Sequence, residues 1–380
     1  MRMHSALAAA TVALFSLTAL AQTPPPADAA AAPAAAQKTW KDMVTFEGLA
    51  DAYASFRPGG SATVPASMRV FDAPVDTFSL AFAKLAVGVK ADPVGMRLDL
   101  GFGPVADITS SNLGPMGQPS EIWKHILQAY ATFAVPTSTP LTIDVGKFVT
   151  AAGAEVIEAH ANWNYSRSFL FGYAIPFTHT GVRLTAPLTS QFTLQVMLAN
   201  GWDLGIDNNA GKTLGVSATY AASSGTTVIG NVLVGPENAG MTNPWRELVD
   251  IVVSQAVGKL SLNANFDYGH QDTATWWGLA AYARMAVTSM MNLSVRGEIF
   301  QDRAGARLPN TAIGAMPGST IGARTTVGEV TATAGFPVGN NAELRAEGRL
   351  DIAGHPVFVY DPMDVKKFQF TLTAAALVWF

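Results

Sequence analysis

The chain has 380 residues, with 24 Lys and Arg against 28 Asp and Glu for a net charge of −4, and it contains no cysteine. The acidic balance argues against a nucleic-acid partner, which usually meets a basic face, and the missing thiols exclude a disulfide scaffold and thiolate metal sites. Charged residues are only 14% of the chain, against roughly 25% in an average soluble domain, yet beyond the first twenty residues no run of about 18 apolar residues reads as a helical membrane span.

Residues 1–21 read as a secretory signal: Arg2 supplies the positive start, Ala6 to Leu20 is a short apolar run, and Ala19 and Ala21 place small residues before a cut at Gln22. The alternative is an N-terminal membrane anchor. Residues 22–39 are a Pro/Ala-rich flexible linker without the apolar side chains to build a core. Folded structure is expected over 40–380.

Sixteen short alternating segments follow, at about 44–56, 78–89, 95–103, 122–133, 141–149, 177–186, 191–199, 212–220, 226–234, 247–256, 259–268, 275–284, 290–301, 321–335, 341–351 and 366–380. Met96, Leu98, Leu100 and Phe102 oppose Arg97 and Asp99; Leu260, Leu262, Ala264 and Phe266 oppose Ser261, Asn263, Asn265 and Asp267. Connections after even-numbered segments are short, as at 187–190 and 337–340, while those after odd-numbered segments are mostly long, with 57–77, 150–176 and 302–320 among them. A β-sandwich gives short strands too, but it has no reason to sort loop length by strand parity. A transmembrane antiparallel up-and-down β-barrel does, with short turns at the periplasmic end and long loops outside the cell. Sixteen strands is the count, with fourteen or eighteen as alternatives.

The final segment supports closure. Phe368, Phe370, Leu372, Ala374, Ala376, Val378 and Phe380 share one face of a strand that ends the chain. A bare apolar edge invites aggregation, and pairing with the first strand removes it. Mid-strand charges such as Arg296 with Glu298, and those between Glu343 and Asp351, occupy the opposite faces. Burying so many in a dry core costs several kcal/mol per charge, to order of magnitude, so the polar faces should meet a water-filled lumen and the apolar faces lipid.

The stretch GKFVTAAGAEVIEAHANWNYSRSFLFGYAIPFTHTGVR, continuing into NGWDLGIDNNAGKT, resembles the core of the OmpL-like β-barrel porins of bacterial outer membranes, closely over about 144–220 and in pattern from about Trp40 to Phe380. The resemblance implies localisation to the bacterial outer membrane and passive diffusion of small hydrophilic solutes and ions, with outer-membrane lipid around the barrel. The terminal Phe380 resembles the signal that barrel assembly machinery reads. General porins fold the long loop after the fifth strand inward, which makes Glu155, Glu158 and Arg167 candidate constriction residues. The other reading is a loop across the barrel mouth whose charges are merely solvated. Arg97, Asp99, Arg183, Arg296, Glu298, Glu343, Arg345, Glu347 and Arg349 would line the pore, although structural ion pairing is an equal claim on each. A substrate-selective channel, or a structural or adhesive barrel with a plugged lumen, is the alternative function. The oligomeric state is open, and a homotrimer is among the assemblies considered.

Chemistry finds little purchase. His160, Ser166 and Ser168 lie in one loop with Asn162 and Asn164, but no spacing forces a nucleophile onto its base. The six histidines show no HExxH-type metal spacing, and His179 reads as a hydrogen-bonding lumen residue. DNNAGKT lacks the first glycine of a phosphate loop and the bidentate Glu of a calcium loop; a polar hairpin tip is the better reading. No enzyme activity, cofactor or metal is expected. Trp202, Trp245, Trp276, Trp277 and Trp379 fall near strand ends, where an interfacial girdle would put them.

Overall fold

The structure, a computed structural model, describes residues 43–110, 123–137, 139–309 and 324–380; the expected signal and linker lie outside them. Alternating side chains make extended segments the economical local choice, since each can then show one face to the lumen and the other outward. The first nine strands are β1 (Val44–Phe56), β2 (Thr77–Val89), β3 (Val94–Phe102), β4 (Ile126–Val135), β5 (Leu141–Val149), β6 (Thr178–Pro187), β7 (Phe192–Ala199), β8 (Thr213–Ala221) and β9 (Thr226–Pro236). They continue with β10 (Trp245–Val257), β11 (Leu260–Gln271), β12 (Ala274–Thr288), β13 (Met291–Asp302), β14 (Thr325–Pro337) and β15 (Ala342–Ala353). A small hairpin, β16 (Phe358–Asp361) and β17 (Asp364–Lys366), precedes β18 (Phe368–Trp379).

Each barrel strand pairs antiparallel with its neighbours, and β18 closes the ring between β15 and β1. Sixteen strands therefore form the barrel, as the alternation indicates, and the hairpin β16–β17 stands outside it. The closing register runs from Leu49 opposite Trp379 to Phe56 opposite Leu372. The free edge expected to be a liability is thereby paired.

The faces sort as an inverted barrel requires. On β18, Phe368, Phe370, Leu372 and Val378 are exposed outward, while Gln369, Thr371 and Thr373 are buried inside. Phe46, Leu85, Met96, Val182, Leu198, Val216, Leu279 and Leu344 continue the exposed apolar surface around the ring. No helix among the described residues is long and apolar enough to cross a membrane; strands make the crossing. One end of the barrel carries tight turns, such as the one between β2 and β3, and the other carries the long connections.

Two of those connections fold into the barrel rather than away from it. Residues 150–176, containing short helical turns at Ala159–Ala161 and Leu170–Ala174, enter the lumen. Residues 57–76 pack on them from the loop end, with Phe71 against Phe171 and Phe177 at centroid distances of 6.1 and 5.6 Å. The result is an internal cluster of Met68, Phe71, Ile157, Tyr165, Phe169, Leu170 and Phe171 inside a polar-walled barrel. Gly172 permits the approach of the two segments, because a Cβ there would collide with Val70.

Candidate functional site: the lumen and its inserted loop

The inserted loop begins at the loop end with Val149 and descends towards the turn end. Its lowest part, Ala159 to Asn164, is gripped by Arg345, whose guanidinium donates to the carbonyls of Ala159 at 2.9 Å and Asn164 at 3.2 Å. His160 stacks on Trp379, with centroids 5.2 Å apart. The chain then climbs back along β13 to β15. Glu347 accepts the backbone N–H groups of Tyr165 at 2.6 Å and Ser166 at 3.0 Å. Glu298 accepts those of Phe169 at 2.8 Å and Leu170 at 2.6 Å. Arg349 donates to the carbonyl of Arg167 at 2.5 Å. Non-repetitive backbone taken out of water must find partners for its polar groups, and here the wall side chains supply them. Gly278 leaves room on the wall for Leu170, which a Cβ would strike.

Arg296 is the central post. It is fully buried and donates to Glu155 at 2.7 Å, to the Ser166 carbonyl at 2.6 Å and to Glu329 at 2.5 Å. Glu155 also accepts the Ser168 backbone N–H at 2.7 Å and its hydroxyl at 2.6 Å. Arg167 turns its guanidinium on the loop's own backbone, donating to the carbonyls of Val156, Ile157 and Tyr165. Glu155 and Arg167, expected as facing charges at a constriction, are thus both buried and spend their charge on holding the loop's shape. Glu158 differs. It pairs with Lys84 at 2.6 Å and keeps its side chain partly exposed. Burial raises the Glu158 carboxyl and the Lys84 ammonium lowers it, with a net position below the usual range.

The expected pore-lining residues divide the same way. Glu298, Arg345, Glu347 and Arg349 all sit on the lumen face and are buried beneath the loop, as is Arg296. Glu343 is buried too, paired with Arg345 at 2.6 Å. On the other side of the lumen, Arg97 holds Glu47 at 2.6 Å and also pairs with Asp99, which is buried. Arg183 pairs with Asp144 at 2.8 Å and lies over the ring of Phe148 at 4.3 Å. Arg97 and Arg183 keep partial exposure, as do Tyr130, Thr185, Gln195, Ser217 and Thr219 on the β4–β8 wall. A small hollow, part of it open to solvent, lies there between residues 148–152, His179, Gln195, Met197, Ser217 and Asn231.

Alternation correctly assigns these residues to the lumen face but says nothing about which half of the lumen the loop fills. The residues that sequence reading missed are in residues 57–76. Arg57 donates to the carbonyls of Val64 at 2.7 Å and Val359 at 2.9 Å, and Arg69 joins Asp72 and Asp351. They lie in a connection with no periodicity, so no pattern marks them. The tryptophan girdle needs correction. Trp276 and Trp202 point inward and meet edge-to-face at 6.5 Å, the Trp276 indole donating to the Ala174 carbonyl at 3.2 Å; Trp379 likewise faces the loop, whereas Trp245 is exposed. Trp276 and Trp379 thus find partners on the inserted loop, and Trp202 lies among Trp276, Arg246 and Arg307, instead of at an interface.

Among the described residues, His160, Ser166 and Ser168 make no hydrogen bond to one another. His160 Nδ1 has no hydrogen-bond partner, the Ser166 hydroxyl lies with Arg296 and Arg349, and that of Ser168 donates to Glu155. His179 is held by the Gly201 carbonyl at 3.1 Å and the Thr150 hydroxyl at 3.3 Å, in keeping with a hydrogen-bonding role. Lys212 folds back on Asp207, making 207–213 a polar tip. Among the described residues no group of three or more His, Cys, Asp or Glu is arranged for a metal.

A closed sixteen-stranded barrel with an apolar exterior, a charged interior and an inserted loop defines a porin-type barrel of the bacterial outer membrane. The chain belongs to the family described as "Putative beta-barrel porin-2, OmpL-like", whose model matches residues 43–380. Solved structures that share the fold include three outer-membrane proteins. The outer-membrane channel DcaP of Acinetobacter baumannii is 12% identical, with 89% of this chain and 97% of that one covered at a TM-score of 0.56. The anion-selective porin from Comamonas acidovorans is 8% identical over 89% and 99%, also at 0.56. OprB of Pseudomonas putida is 12% identical over 90% and 95%, again at 0.56. No curated protein sequence matches the chain.

Proposed function

We propose that the protein is a passive diffusion porin for small hydrophilic solutes and ions, with no catalytic activity. The path is narrowed by residues 150–176 and runs between that loop and the β3–β9 wall. The observation that carries this reading is the asymmetry of the lumen: loop contacts bury the lumen side chains of β13–β15, whereas Arg97, Tyr130, Arg183, Gln195 and Ser217 remain partly exposed. Porin barrels of this strand number leave an aqueous channel, and the partly exposed lumen side chains support that side for it. Glu158 with Lys84, and Arg183 with Asp144, would set the charge met by a passing ion; Glu155 and Arg167 act through the loop's shape.

A cleaved signal at residues 1–21, long loops facing outside and recognition of Phe380 by assembly machinery complete the proposal. The plugged-lumen alternative draws support from the apolar cluster around Phe71 and Phe171. Reconstitution separates the two. Proteoliposomes carrying the protein should swell in small sugars and progressively less in larger ones, and planar bilayers should show discrete conductance steps. Intact barrels that give neither would establish a plug.

A further inference from the structure

Glu298 and Glu347 are met by loop N–H groups, while several other lumen carboxylates face a cation: Asp99, Asp144, Glu155, Glu329, Glu343 and Asp351 each lie within ion-pairing distance of Arg or Lys. Asp250 and Asp267 do not. They stand directly opposite each other on β10 and β11, both fully buried, and no ion pair to either exists among the described residues. Directly opposed residues on neighbouring antiparallel strands hold their Cβ atoms about 5 Å apart, so the two side chains stand next to each other on the lumen face. Asp250 is oriented by two amides, Asn231 Nδ2 and Asn265 Nδ2, each at 2.6 Å. Neither oxygen of Asp267 has a hydrogen-bond donor. Asn231, which donates to Asp250 through Nδ2, leaves its Oδ1 without a partner although the residue is only 2% exposed.

Two adjacent buried carboxylates and an unpartnered amide oxygen are a costly combination unless something positive joins them. We propose that Asp250, Asp267 and Asn231 form an oxygen site for one divalent cation of the calcium class. Charge selects a divalent ion, since two carboxylates carry −2 and a monovalent ion leaves half of it. Donor type selects a hard ion, because the site offers oxygen and neither imidazole nor thiolate. Calcium suits it better than magnesium, since calcium accepts flexible sets of protein oxygens while magnesium keeps its waters. The carboxylates and the amide supply up to five oxygens. Glu298, the next carboxylate, is committed to Phe169 and Leu170. The amide donors on Asp250 act as outer partners that orient a ligand. The site lies under the start of the inserted loop, where the Ala154 N–H donates to Asn265 Oδ1 at 3.2 Å. A bound ion would therefore tie β9, β10 and β11 together beneath the loop's first turn.

The test uses the full-length protein unfolded in chelator and refolded in detergent, either with calcium chloride or with chelator. After equilibrium dialysis, bound calcium per chain is measured by atomic emission. The wild type should hold one calcium more than Asp267→Asn, and calcium should raise its heat-modification midpoint while leaving that of Asp267→Asn unchanged. Asn231→Leu keeps both charges and should weaken binding about tenfold, in line with the loss of a supporting ligand group, so the test survives if Asp267→Asn does not fold. Magnesium chloride at the same concentration should not displace the calcium. Equal calcium in wild type and both variants would overturn the site. So would an infrared carbonyl band of a protonated carboxyl in calcium-treated wild type that disappears in Asp267→Asn, because the pair would then share a proton instead.

Discussion

Arg296→Met should release the inserted loop while leaving the barrel closed. Arg296 is wholly buried and joins three partners: Glu155 and the Ser166 carbonyl on the loop, and Glu329 on β14. Methionine fills much of the stem volume but strands Glu155, which keeps only Ser168 as donor. Breaking a buried pair by removing one partner costs about 3–5 kcal/mol. At about 1.4 kcal/mol per tenfold, a loss near 4 kcal/mol lowers the docked-to-undocked ratio about a thousandfold. The ladder is spared, because β13 pairs with β12 and β14 through backbone that the substitution does not touch. The expected phenotype is a heat-modifiable barrel with larger, noisier single-channel currents and new protease cleavage between residues 155 and 167. Adding Glu155→Gln should recover part of the docking, since it removes the stranded charge. Wild-type conductance, noise and protease resistance in a folded Arg296→Met barrel would refute the assignment of Arg296 as the loop's anchor.

Three further outcomes are expected. Val378→Asp places a charge on an outward, half-exposed position of the closing strand, at a cost below the roughly 2–4 kcal/mol of Arg or Lys at mid-membrane; combined with Phe380→Ala it should abolish the heat-modifiable band. Glu158→Gln leaves Lys84 without its 2.6 Å partner, so the reversal potential in a salt gradient should move towards anions, whereas an unchanged potential would take Glu158 off the path. Burial pushes the Asp203 carboxyl up to about 6 from 3.8, partly offset by the N–H groups of Thr178 and Phe177. With the folded value raised, its stabilising contribution is complete below about pH 4 and is lost as pH rises through 6, a difference of about 3 kcal/mol at 1.36 kcal/mol per unit. Asp203→Asn should therefore raise the heat-modification midpoint at pH 8 and leave it near wild type at pH 4; the same increment at both values would contradict the assignment.

The fold was legible because period-two alternation fixes both the strand and its face. Expected strand starts and ends such as 44–56 and 141–149 coincide with β1 and β5. The larger departures are at the start of β4, where Trp123–His125 form a helical turn ahead of Ile126, and at the end of β12, which runs on to Thr288. The site was less legible for a physical reason. Alternation places Arg296, Glu298, Arg345, Glu347 and Arg349 on the lumen side, but whether a lumen residue meets water or a folded-in loop depends on contacts more than a hundred residues apart, such as Arg296 with Glu155. The burying of Phe71 by Phe171 is of the same kind. The resemblance to general porins makes Glu155 and Arg167 constriction candidates; the carbonyls of Val156, Ile157 and Tyr165 that absorb Arg167 leave no mark in the sequence.

Residues 150–176 thread the lumen along β13 to β15, so removing their span is the most direct perturbation of the proposed permeation path. Single-channel recording of a barrel shortened between Ala152 and Ser168 measures the consequence. A larger conductance than wild type, with larger sugars now admitted in liposome swelling, is the predicted result. A folded, heat-modifiable barrel whose conductance and size exclusion both remain at wild-type values would contradict it.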